Sequence, residues 1–133
     1  GECAFGGCVR ITTFTIPNSV KDIGRAVFAG CTSLTTLIIP DSITEIRGST
    51  FSECKRLTNI NIPNSITKIG DNAFFGCGKL TSITIPNSVT KIDRAVFNYC
   101  NSLSEIRIPK GTTFKFIECG LLEYLDLLVE KDN

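Results

Sequence analysis

Between residues 12 and 108 one short pattern recurs. Segments 12–16, 35–39, 58–62, 81–85 and 104–108 alternate polar residues, mostly Thr, Ser or Asn, with Ile, Leu or Phe. This period of two predicts short strands, each with one buried face. A proline closes every segment, at 17, 40, 63, 86 and 109. Proline lacks an N–H and stops a hydrogen-bond ladder. Serines at 19, 42, 65 and 88 follow and are expected to bond local backbone in a turn. The next motif, Val/Ile-x-x-Ile, predicts a second, shorter strand. Stretches such as "DNAFFGC" predict a helical turn.

The prolines step by 23 residues, and so do Cys8, Cys31, Cys54, Cys77 and Cys100. A period of about 20–29 with an L-x-x-L-x-L core marks a leucine-rich repeat. It appears as Leu34-x-x-Leu37-x-Ile39, and again at Leu57, Leu80 and Leu103. No single turn can bury its own apolar residues, so turns must stack in series. Equivalent residues then form ladders, such as Phe5, Phe28, Phe51, Phe74 and Phe97. The expected fold is a right-handed leucine-rich repeat solenoid of 23-residue turns. A parallel β-sheet lines its concave face, with short strands and helical turns on the other side. Residues 1–112 form about five turns, the first partial.

Residues 113–133 are expected to cap the last turn with a short helix, because Leu121, Leu122, Leu125, Leu128 and Val129 fall at helical spacing against Glu123, Asp126 and Glu130. At the other end the chain opens inside a turn. It reads as the C-terminal part of a longer solenoid, with an N-terminal edge that can associate with a second chain.

Composition narrows the function. Fourteen basic and 13 acidic side chains leave a net charge of +1, which gives no reason to expect nucleic acid as a partner. No apolar run approaches the roughly 18 residues of a membrane span, so membrane insertion is not expected. The chain has no histidine, which rules out Ser-His-Asp and Cys-His sites and most zinc ligand sets. No general base, nucleophile pair or phosphate loop stands out, so neither catalysis nor a cofactor is expected.

Two sets of residues carry candidate roles. Cys8, Cys31, Cys54, Cys77 and Cys100 read as a buried ladder of free thiols packed between the Phe and Leu ladders. Cys3 and Cys119 lie off the period. The outward strand positions read as a candidate concave binding face: Thr36, Ile38, Asn59, Asn61, Ser82, Thr84, Glu105 and Arg107. The alternative is a solvated array of β-formers, since the face lacks the aromatic residues that dominate hot spots. Lys55, Arg56 and Lys79 stack near one edge, as a solvated face or a weak patch for acidic partners.

The pattern "IPNSVTKI…AF…GC…LTSI" resembles the BspA-like, or treponemal-type, leucine-rich repeat, carried by Pro86, Ser88, Ile92, Phe97, Cys100, Leu103, Ile106 and their equivalents. Arg47 and Asp93 depart from Gly24 and Gly70, and Glu53 and Tyr99 from Gly30 and Gly76. The resemblance implies a secreted or cell-surface adhesion module with host matrix or receptor proteins as partners. It implies no catalysis and no cofactor. The alternative is a structural spacer whose recognition lies in other repeats.

Overall fold

The computed structural model describes Gly7 and residues 9–132. Cys3, Phe5 and Cys8 lie outside the described residues.

Among the described residues, eight short strands alternate between two sides of the solenoid. The first side carries β1 (Thr13–Thr15), β2 (Thr36–Ile38), β4 (Asn59–Ile60), β6 (Ser82–Thr84) and β8 (Glu105–Pro109). The second carries β3 (Glu45–Ile46), β5 (Lys68–Ile69) and β7 (Lys91–Ile92). Pairs among these eight strands are parallel and in register at one full repeat, as in Thr13↔Thr36 and Ile46↔Ile69. The Val/Ile-x-x-Ile motif therefore does form the second strand.

The Phe–Cys corner is not helical. Its amides alternate in direction. Those of Ala26, Phe28 and Gly30 donate to Gly48, Thr50 and Ser52 of the next turn, at 3.1, 3.0 and 2.8 Å. Those of Ala29 and Cys31 bond locally, to Ala26 and Phe28. The corner at 72–76 repeats this toward Arg94, Val96 and Asn98. A helix would turn every amide back on its own chain and leave the neighbouring turn unbonded. The alternation uses left-handed backbone at Ala26, Ser49, Asn72 and Ala95, with φ of 56–59°.

The serines also differ from expectation. Ser42 Oγ donates to Val20 O at 2.7 Å and Ser65 Oγ to Ile43 O at 2.6 Å, both in the preceding turn. Ser88 Oγ is buried without a partner. Strand hydroxyls behave likewise: Thr35, Thr58 and Ser104 donate to Thr12, Thr35 and Thr81 carbonyls one turn back.

The core is a set of columns. Phe28, Phe51, Phe74 and Phe97 stack at 5.7, 5.4 and 5.7 Å, with interplanar angles of 11–19°. Leu34, Leu57 and Leu80 are fully buried beside them. Each such side chain contributes roughly 1.5–3 kcal/mol on burial.

One interruption divides the first sheet. Strands β1-β2-β4 form one ladder, and β6-β8 continue in another. Just past the paired ends of β2 and β4, the Asn61 side-chain amide replaces its own peptide. Its Oδ1 accepts from Ile39 N at 3.0 Å and its Nδ2 donates to Ile39 O at 3.1 Å. Elsewhere this link is backbone to backbone, as in Ile85 N to Arg107 O at 2.8 Å. On the second side β5 and β7 pair without interruption.

The tail differs from the expected amphipathic helix. A single helical turn, α1 (Thr113–Phe116), leads into tight turns over 117–127 and then β9 (Leu128–Lys131), which pairs in parallel with β8. Leu121 is buried, whereas Leu122 and Leu125 are exposed and Leu128 and Val129 lie in the strand. Two demands override helical spacing. The outer backbone groups of β8 need partners, which only a strand supplies along their length. At Gly120 (φ 132°) the chain approaches Ile92 O so closely that a Cβ would lie 2.0 Å from it. Tyr124 then lies edge-on to Phe97 at 5.4 Å. Its hydroxyl accepts from Phe97 N at 3.1 Å and donates to Asn98 Oδ1 at 2.7 Å. In inner turns the same Phe amide reaches the next turn's carbonyl.

The cap role proposed for 113–133 makes two expectations. Deleting these residues lowers the melting temperature by several degrees or causes aggregation; an unchanged melt refutes the role. Tyr124→Phe, which leaves the Phe97 amide without its acceptor, costs about 1–2 kcal/mol in urea unfolding.

Candidate binding face and cysteine ladder

The strand register positions the proposed face. Residues at alternate positions point outward, so Thr36 lies beside Asn59, Ser82 beside Glu105 and Thr84 beside Arg107. Ile38 is the apolar member and is 48% exposed. Asn59, Asn61, Thr84 and Arg107 are exposed, while Thr36, Ser82 and Glu105 are half-buried.

Six of the eight residues fall in two shallow depressions. Thr36, Ile38, Asn59 and Asn61 line a shallow depression of about 440 Å³. Thr84 and Arg107 line a second, of about 450 Å³, together with Lys131 and Asp132. Ser82 and Glu105 line neither. Sequence reasoning missed Lys131 and Asp132 because it read the tail as helix.

Two of the polar groups are occupied inside the protein. Asn61 bonds both backbone groups of Ile39. Arg107 Nε donates to Glu105 Oε1 at 2.5 Å. That bond, with Arg107 and Lys131 as nearby cations, holds the Glu105 carboxyl below its usual pKa range.

The cysteine ladder is more than filler. Cys54 Sγ donates to Phe28 O at 3.2 Å, Cys77 Sγ to Phe51 O at 3.2 Å, and Cys100 Sγ to Phe74 O at 3.0 Å. Phe28, Phe51 and Phe74 carbonyls also accept the amide of the cysteine three residues on. Both lone pairs of each oxygen are thus occupied. Burial pushes the Cys54 thiol up to about 12. The neighbouring Cys100 thiol, and then burial, raise Cys77. Cys31, Cys54, Cys77 and Cys100 are buried cysteines, and Cys119 is a half-buried one. Burial raises the Cys119 thiol as well.

A profile of the BspA type leucine rich repeat region matches residues 1–124 in six copies. The chain belongs to the BspA-type leucine-rich repeat family. Its solved relatives agree in fold. A leucine rich cell surface protein from Faecalibacterium prausnitzii is 36% identical over 89% of this chain and 31% of its own, with a TM-score of 0.84. The Treponema pallidum leucine rich repeat protein is 39% identical over 80% of this chain and 50% of its own, at 0.77. A leucine-rich repeat protein from Bacteroides ovatus is 32% identical over 83% of this chain and 34% of its own, at 0.69. The chain thus spans 31 to 50% of the length of these proteins. No curated protein matches it.

The BspA-type ladder makes two predictions. Cys77→Ala costs about 1–3 kcal/mol through a small cavity and a lost donor. Thiol titration of native protein finds Cys119 reacting before the four buried rungs. Stability also depends on alkaline pH. Cys54 titrates near 12 when folded against an ordinary 9.0. The unfolded chain loses its proton first, so this contribution is complete below pH 9 and is lost as pH rises through 12. The urea midpoint therefore falls over that window, and falls less steeply in Cys54→Ala.

Proposed function

We propose that this chain is a non-catalytic protein-binding segment of a secreted or cell-surface protein, and that it adheres to host matrix or receptor proteins through its first sheet. The observation behind this reading is the depression at Thr36, Ile38, Asn59 and Asn61. It places an exposed isoleucine among hydrogen-bonding side chains on a face held rigid by the ladder. An apolar centre with a polar rim is the usual anatomy of a protein interface. The F. prausnitzii relative, described as a cell surface protein, supports the location.

A second reading is a structural spacer. It is favoured by the internal use of Asn61 and Arg107, and by a face without aromatic residues. The two readings separate at Ile38 and Asn59, whose side chains make no bond that holds the fold. Binding to immobilised matrix proteins is measured for wild type and for Ile38→Glu with Asn59→Ala. The adhesive reading expects at least about a tenfold loss with an unchanged melting temperature. Absent or unaffected binding favours the spacer.

A further inference from the structure

A different surface, at the Phe–Cys corner, carries a cleft of about 650 Å³. Its size falls within the roughly 300–1,000 Å³ of small-molecule sites. The cleft arises where the repeat is broken. One column at this corner reads Gly30, Glu53, Gly76 and Tyr99, and all four are left-handed, with φ of 74, 61, 76 and 61°. Glycine adopts that backbone freely, whereas glutamate and tyrosine are strained there. Gly76 forms the floor of the cleft. A Cβ on it would lie 2.8 Å from the Glu53 carboxylate. The bare glycine lets the Glu53 carboxylate lie across it, so that an acid and the Tyr99 ring line the same cleft.

The lining is chemically mixed. Tyr99 is 67% exposed, and its ring meets Phe75 edge-on at 5.1 Å and 63°. The pair makes an apolar platform braced from below. Lys55, Lys79 and Asn101 bring donors, while Glu53 and the Asn101 carbonyl accept. Lys55 Nζ stands 4.0 Å from Glu53 Oε2 and offsets its charge. Lys79 then leaves the cleft with one positive charge in excess.

We propose that this cleft binds a saccharide whose pyranose ring carries a carboxylate. A pyranose has one apolar C–H face, which suits the Tyr99 ring. Its hydroxyls both donate and accept, and this lining holds both kinds of partner. The carboxylate answers the unmatched Lys79 charge. A cationic ligand would meet Lys55 and Lys79 against the single Glu53. The site lies apart from the sheet face and does not depend on the adhesive reading.

Hexuronic and sialic acids share this chemistry, so the test uses both. Calorimetry and saturation-transfer NMR are run with a glucuronate-ended trisaccharide, with sialyllactose, and with neutral lactose. At least one acidic sugar is expected to bind with a dissociation constant of about 1 mM or below, and lactose about tenfold more weakly. Which acid binds more tightly identifies the source. Tyr99→Gly restores the column's glycine, so it keeps or raises the melting temperature while acidic-sugar affinity falls at least about tenfold. Lys79→Gln reduces acidic-sugar binding to the level of lactose. The proposal is overturned if neither acidic sugar binds at about 10 mM. It is also overturned if lactose binds as well as they do, or if Tyr99→Gly retains full affinity. Binding of a polyglutamate peptide at Tyr99 without binding of sugar overturns it as well.

Discussion

The hydrogen bond between equivalent positions of adjacent turns governs this molecule. Three ladders run along it, at the first sheet, at the second, and at the Phe–Cys corner, where Phe28 N reaches Thr50 O at 3.0 Å and Phe74 N reaches Val96 O at 3.0 Å. A bond that always joins residue i to a position about one repeat away requires every turn to rise by the strand spacing, near 4.8 Å. Each side chain then meets its own equivalent above and below. The Phe column shows the result, with rings held within 19° of parallel. A column can hold only what stacks on itself, which accounts for the fixed positions of Phe, Cys, Leu and Pro.

The same bond explains the thiols. A backbone amide supplies one donor to each Phe carbonyl, yet the oxygen has two lone pairs. At this depth water cannot fill the second. Cysteine is small enough for the slot between the Phe and Leu columns and brings an S–H directed at that oxygen. Alanine would fit but donates nothing. Serine would donate more strongly, at a higher desolvation cost when its own acceptor need is unmet. The thiol is the side chain that satisfies the carbonyl and imposes little polar demand of its own.

What the sequence revealed was what repeats. The period, the sheet positions, the second strand and the Phe and Cys columns could all be read, because each appears several times in register. The readings that failed concerned the direction of hydrogen bonds and single departures. "DNAFFGC" has helical composition, but its amides serve the neighbouring turn, and no local pattern encodes a partner 22 residues away. The tail's leucines have helical spacing, but Gly120 and the open edge of β8 set its path. Asn61 looked like an outward strand residue available to a ligand. Its amide instead stands in for a peptide group in the link to Ile39. Glu53 and Tyr99 were visible as departures from glycine, while the open cleft they line with Gly76 was not.

Departures are also where a solenoid acquires individuality. A perfect repeat presents the same surface at every turn and can build no enclosed site. Coupling in such a chain is mainly between nearest neighbours, so a local change strains one turn and leaves distant ones intact. The left-handed residues show how that strain is carried. Ala26, Ser49, Asn72 and Ala95 adopt it in successive turns, and the geometry aims the amides of Ala26, Ser49 and Asn72 at the next turn's carbonyl, so a bond offsets the cost. Glu53 and Tyr99 make the same kind of bond or occupy the same kind of backbone as Gly30 and Gly76, so the ladder does not require their side chains. Glycine in their place would relieve strain of order 1–2 kcal/mol each. Side chains held against such a penalty, one of them laid across a glycine, point to a selected surface and not to a requirement of the fold.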